Sequence, residues 1–210
     1  TPFESAPLTR PQVPRRNNAT PQPNPRRTSP HAFYRAPRPR DAAGRPIFGT
    51  LIALVQEGWP VLGVIDQAIL DERWVGITGQ PTTFNGGLAR TRSCPALAEA
   101  ALATTGPHYF DDHDGEHFMA LAARTDHKHM VMGGDCYNYA MLALGQLDIV
   151  CEANLKLHDY AALIPVVEGA GGVMCDWNGD PLHAASSGHV LALGDPARVE
   201  DVVEALACRH

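Results

Sequence analysis

Proline is distributed so unevenly along this chain that it divides the sequence in two. Eleven of the 18 prolines lie in residues 1–46, leaving seven for the other 164 residues. Proline removes a backbone donor and holds its predecessor away from the helical region. A run such as Thr20-Pro21-Gln22-Pro23-Asn24-Pro25-Arg26-Arg27 therefore cannot sustain a long helix or a strand ladder. The same segment carries nine Arg, no Lys and two acids, a charge of +7, whereas the remainder carries −13. Residues 1–43 are expected to be a largely disordered or aberrant segment, with one folded domain over 44–210. Three readings are open for the segment. It is an Arg-rich tail for nucleic acid or an acidic surface, a transit peptide, or the product of a displaced reading frame in a GC-rich gene. The third is favoured, and no nucleic-acid partner is expected.

Apolar residues make up 44% of the chain, enough to build a core. No apolar run approaches the roughly 20 residues of a membrane-spanning helix, so no membrane association is expected. Cys94, Cys136, Cys151, Cys175 and Cys208 are widely spaced and form no C-x-x-C pair. That speaks against a disulfide framework or structural zinc, and a cytoplasmic location is expected.

From residue 47 the text is that of a globular domain. Strands are expected over residues 47–55, 61–70 and 73–78, with a turn at Glu57-Gly58-Trp59-Pro60 and a loop over 79–87. The Ala-rich residues 95–104 read as a helix, with Pro95 in its first turn. Residues 114–124 read as a second helix and 130–132 as a short strand. Elements then alternate: a helix over 136–144 capped by Asp135, a strand over 147–152, and a helix capped by Asp159. In that last helix Tyr160, Leu163, Ile164 and Val167 share one face, and Pro165 should bend or shorten it. A strand over 173–177 and a helix from Asp195-Pro196 to Ala207 complete the pattern. A meander followed by alternation implies layers of sheet and helix, an α/β fold.

Three stretches could carry chemistry. In Gly133-Gly134-Asp135-Cys136-Tyr137-Asn138-Tyr139, two glycines admit a ligand close to the backbone and a helix N-terminus follows. In Glu152-Ala153-Asn154-Leu155-Lys156-Leu157-His158-Asp159, a carboxylate ends a strand and another begins a helix. A carboxylate at a helix start is stabilised in its charged form and suits a hard cation such as Mg²⁺. The third, His108-Tyr109-Phe110-Asp111-Asp112-His113-Asp114-Gly115-Glu116-His117, matches no H-E-x-x-H spacing and reads as solvated polar residues at a helix start. Ser93, Ser186 and Ser187 have no evident histidine–acid setting.

The ordered set Gly133-Gly134-Asp135-Cys136-Tyr137, Glu152, Leu157-His158-Asp159-Tyr160-Ala161-Ala162-Leu163-Ile164-Pro165 and Glu168-Gly169-Ala170-Gly171-Gly172 resembles the inositol-monophosphatase superfamily. His158 in place of the usual Trp, and the Glu-Gly-Ala-Gly-Gly ending, look like its bacterial histidinol-phosphatase branch, as does Gly44-Arg45-Pro46-Ile47-Phe48-Gly49-Thr50. The resemblance implies a layered α/β/α/β/α sandwich of the sugar-phosphatase type, usually a homodimer. It implies Mg²⁺-dependent hydrolysis of a small-molecule phosphate monoester, histidinol phosphate before inositol or another sugar phosphate. It assigns Asp159 to the metal, and Gly134, Asp135, Cys136 and Glu152 to the substrate. The family's Asp-Pro-x-Asp-Gly-Thr, which supplies most metal ligands, occurs nowhere in this sequence. The expectation is therefore an N-terminally incomplete domain, impaired or inactive in this form, with a catalytically dead homologue of structural role as the alternative.

Overall fold

The computed structural model describes the backbone of residues 32–36 and residues 47–207. Most of the expected 1–43 segment, and the Gly44-Arg45-Pro46 start of the domain, lie outside the described residues. The first sheet is an antiparallel meander of six strands in sequence order: β1 (Ala32–Ala36), β2 (Thr50–Gln56), β3 (Trp59–Gln67), β4 (Glu72–Ile77), β5 (Thr83–Phe84) and β6 (Gly87–Leu88). β1 corrects the expectation that its segment builds no ladder, since it pairs with β2 from Ala32↔Val55 to Ala36↔Leu51. Its five residues form a proline-free window between Pro30 and Pro37, and it occupies an edge position. The turn between β2 and β3 is only Glu57-Gly58, with φ of 51° and 83°. Trp59 and Pro60 already belong to β3. Two left-handed residues match the twist of a tight hairpin. The expected loop over 79–87 contains the small β5–β6 hairpin.

The second sheet is mixed. β7 (Leu102–Thr104), β8 (Val131–Met132), β9 (Ile149–Glu152), β10 (Val173–Cys175) and β11 (Val190–Leu193) lie in the order β10-β11-β9-β7-β8. Five helices accompany them: α1 (Asp112–Ala122), α2 (Cys136–Ala143), α3 (Leu157–Tyr160), α4 (Leu163–Gly169) and α5 (Val199–Leu206). The helix expected over 95–104 is instead a single 3-10 turn, Leu97–Glu99, followed by β7. β7 lies parallel to both β8 and β9, and all three of its residues are buried. Helix propensity of alanine is a weak prior that tertiary pairing overrides. The expected helix around Pro165 is divided into α3 and α4. Pro165 falls in the first turn of α4, where its missing N–H had no partner to lose.

The second sheet is a wall between two cores. Along β9, Ile149 and Cys151 face one cluster and Val150 faces the other. Along β11, Leu191 and Leu193 face the first, and Val190 and Ala192 the second. Tyr139, Leu142 and the α4 residues fill the space between the two sheets together with Leu51, Ile65 and Trp74. Phe118 and Leu121 of α1 and Val202 and Leu206 of α5 cover the far side. The described residues thus form four alternating layers of the expected sandwich: sheet, helices, sheet, helices. None of their helices is long and apolar enough to cross a membrane.

α3 and α4 lie very close on the first sheet because glycine makes room. Gly63 and Gly76 are direct cross-strand partners on β3 and β4. A Cβ on Gly63 would fall 1.9 Å from the Ala162 carbonyl oxygen, and one on Gly76 would fall 2.3 Å from that of Pro165. This close approach sets the height of the helix layer that carries Asp159.

Candidate functional site: a phenol among three carboxylates

β8 runs into Gly133 and Gly134, with φ of 84° and 109°. A Cβ on Gly134 would meet Asn138 Oδ1 at 2.1 Å, so both backbone and space restrict this position to glycine. The buried Asn138 amide donates to the Gly133 carbonyl at 2.9 Å and closes the turn. Asp135 holds the N-cap position of α2 but does not cap it. Its φ of 49° and ψ of −132° differ from the extended backbone of a capping residue, and its side chain makes no cap hydrogen bond. A non-glycine residue in this conformation carries strain of about 1–3 kcal/mol, a cost that collects at functional positions. Cys136 opens α2 and is buried. A Cβ on Gly49 would sit 2.9 Å from its Sγ, so the lead into β2 packs on this helix start.

Glu152 ends β9 and is 2% exposed. Oε1 accepts from the Thr105 amide at 2.6 Å and the Thr105 hydroxyl at 2.7 Å, and Oε2 accepts from the Thr104 hydroxyl at 3.3 Å. Burial pushes its carboxyl up to about 7 and Asp135 adds to the shift, while the threonine hydrogen bonds oppose it. Thr104 and Thr105 were not legible as site residues, because the segment before them reads as helix. Once β7 is placed beside β9, their position follows.

Asp159 is the third residue of α3, not its cap. Its Oδ2 accepts from the Lys156 amide at 2.8 Å, bonding back to the start of the helix. His158 Nε2 lies 3.6 Å from Oδ1, and the Asp159 side chain remains 26% exposed. Apolar packing has not engulfed it.

Tyr139 brings these groups together. Its fully buried phenol is pushed well above its ordinary value, first by burial and then by Glu152, Cys151, Asp135 and Asp159. Carboxylates from a strand end and two helix starts therefore act on one hydroxyl. That hydroxyl has no hydrogen-bond partner among the described residues. The signal for Tyr139 was present in the sequence: it stands four residues after Asp135, on the same side of α2.

The Mg²⁺ implied by the resemblance does not fit the described residues by themselves. No three His, Cys, Asp or Glu side chains among them form a cation-binding group. One carboxylate at Asp159 would leave Mg²⁺ mostly hydrated. What the described residues offer to a ligand is the glycine turn, the exposed Asp135 and the partly exposed Asp159, with Glu152 and the Tyr139 phenol buried behind them. The structure also gives Ser187 partners that the sequence did not reveal. Its hydroxyl lies 3.2 Å from His189 Nδ1, and His189 Nε2 lies 2.9 Å from Asp114. Ser187 and His189 are two residues apart, so this is a local turn contact and not a converging triad.

Mixed sheets layered with helices, and acids gathered beside a glycine turn, define the class of layered α/β sugar-phosphatase folds. The sequence profile of the inositol monophosphatase family matches residues 42–207, and the chain belongs to that family. It is 45% identical over 170 residues to the bifunctional phosphatase IMPL2, chloroplastic, of Arabidopsis thaliana, covering 78% of this chain and 49% of that protein. It is 30% identical over 136 residues to a histidinol-phosphatase of Chlorobaculum parvum, covering 65% and 52%. Among solved structures, an inositol monophosphatase from Zymomonas mobilis superposes with a TM-score of 0.81 at 46% identity, covering 87% of this chain and 73% of that one. The chain spans about half the length of the curated relatives it matches.

Proposed function

We propose that the chain serves in the hydrolysis of small phosphate monoesters, with histidinol phosphate the preferred ester. The observation that carries this reading is the buried Glu152, raised to about 7 and held by Thr104 and Thr105, with the charge of Asp135 within electrostatic reach of it and of the Tyr139 phenol. Histidinol carries an amine and an imidazole, and a cationic group would be met by these acids while the glycine turn receives the phosphate. Two relatives bearing the name histidinol-phosphatase, at 30% and 31% identity, support the same choice. A second reading, an inositol or other sugar phosphate, is favoured by the 46%-identical inositol monophosphatase. A third, an inactive homologue with a structural role, is favoured by the absence of Asp-Pro-x-Asp-Gly-Thr from the sequence. Mg²⁺ as cofactor, a homodimer and a cytoplasmic location belong to the proposal.

Calorimetric binding of histidinol phosphate and inositol 1-phosphate to the 210-residue chain, with inorganic phosphate release in Mg²⁺ measured on the same samples, tests it. Histidinol phosphate should bind more tightly, and Glu152→Gln should weaken that binding about tenfold. Phosphate release should be slow and fall to background in Asp159→Asn. Equal or tighter binding of the inositol ester would transfer the reading to inositol phosphates. Binding of neither ester would leave the structural role.

A further inference from the structure

α1 carries a second group of polar side chains, on the far side of the sheet from Tyr139. His113 and His117 stand one turn apart on this helix, the first exposed and the second half-buried. Their Nε2 atoms are 3.0 Å apart and their rings nearly perpendicular, at 86°.

The tautomer of His117 follows from its other nitrogen. Nδ1 is hydrogen-bonded to the Leu206 carbonyl at the end of α5. A carbonyl only accepts, so Nδ1 carries the proton and donates it. In the neutral ring, Nε2 is then an acceptor, and it accepts from the Nε2–H of His113, a proton that moves to the other His113 nitrogen when an ion enters. Donation of the remote ring N–H to a backbone carbonyl is the arrangement that orients metal-ligating histidines. The neighbouring Trp177 ring, 6.3 Å away between centroids, flanks the same imidazole.

We propose that His113 and His117 form a two-histidine chelate for a borderline transition-metal dication such as Ni²⁺, Co²⁺ or Zn²⁺, with water completing the coordination. Two nitrogens 3.0 Å apart, each about 2.1 Å from a shared ion, subtend roughly 90°. That is the angle between adjacent ligands in octahedral and tetragonal sites. Asp111, Asp112, Asp114 and Glu116 surround the pair in sequence, and their negative field concentrates dications there. Imidazole suits these ions, while Mg²⁺ takes oxygen ligands, so this site is chemically separate from any role of Asp159. Occupancy also has a mechanical effect. An ion on Nε2 locks the Nδ1 tautomer and so holds the tie between α1 and the end of α5.

Equilibrium dialysis and thermal melting of the untagged 210-residue chain with Ni²⁺, and with Mg²⁺ as control, test the proposal. Ni²⁺ should raise the melting temperature in a concentration-dependent way. Acidification should reverse this, because protons and metal compete for the same lone pairs. His113→Ala removes an exposed side chain, so this variant should melt like the wild type without metal while its Ni²⁺ affinity falls at least tenfold. Unchanged Ni²⁺ affinity in His113→Ala, or equal stabilisation by Mg²⁺, would overturn the assignment.

Discussion

Tyr139 and Glu152 are held in the folded protein at a cost to stability, and each cost can be measured. The Tyr139 hydroxyl is buried without a partner, so it has lost its hydration and gained no replacement among the described residues. Tyr139→Phe should therefore stabilise the ligand-free chain by about 1 kcal/mol in urea unfolding, and weaken ester binding. Glu152 shows its cost through pH. Its folded carboxyl is raised from 4.5 to about 7, so between those values the native state binds a proton that the unfolded chain has released. Stability should fall as pH rises across that window, by roughly 3 kcal/mol in all. Glu152→Gln should flatten the profile, as read from melting temperatures between pH 4.5 and 7.5.

At the scale of elements, the contact between the helix layer and the first sheet rests on two missing side chains. Gly63→Ala or Gly76→Ala would push a methyl group into the Ala162 or Pro165 carbonyl. Each should destabilise by about 3 kcal/mol, since backbone must move to relieve the clash, and denaturant midpoints would show it. Asp159 rides on this layer, so these glycines should disturb ester binding as well. Such dependence was not legible in the sequence, where both glycines sit unremarkably inside strands. What could be read was local: the β2–β4 meander, α2, β9, and the break near Pro165. What could not be read depended on partners distant in the chain. β7 looked like helix because its alanines favour helix, and only pairing with β8 and β9 decides otherwise. β11 went unrecognised because four apolar residues between Gly188 and Gly194 are too short to show a period. Asp135, Glu152 and Asp159 were legible as acids at element ends. Tyr139 had a signal in its spacing from Asp135, whereas Thr104 and Thr105, which complete the surroundings of Glu152, required the fold.

Across the whole molecule, Asp148 ties separate segments of the chain together. It is 3% exposed, accepts from Arg92 Nε at 2.7 Å and Nη2 at 2.5 Å, and accepts from the Ala101 amide at 2.8 Å. Asp148→Asn would exchange charge-assisted hydrogen bonds for neutral ones while the half-exposed guanidinium keeps its water, and should lower stability by about 1–2 kcal/mol, seen as a fall in melting temperature. The wall that Asp148 flanks has a further property. β11 follows both of its neighbours in the sequence, yet it is seated between β10 and β9, and its alternate side chains feed both cores. During synthesis, β9 must wait on the ribosome with one edge unmatched until residues near 193 have cleared the exit tunnel. Until then the partition between the two cores has a gap at its centre, because neither β9 nor β10 can pair with the strand that joins them.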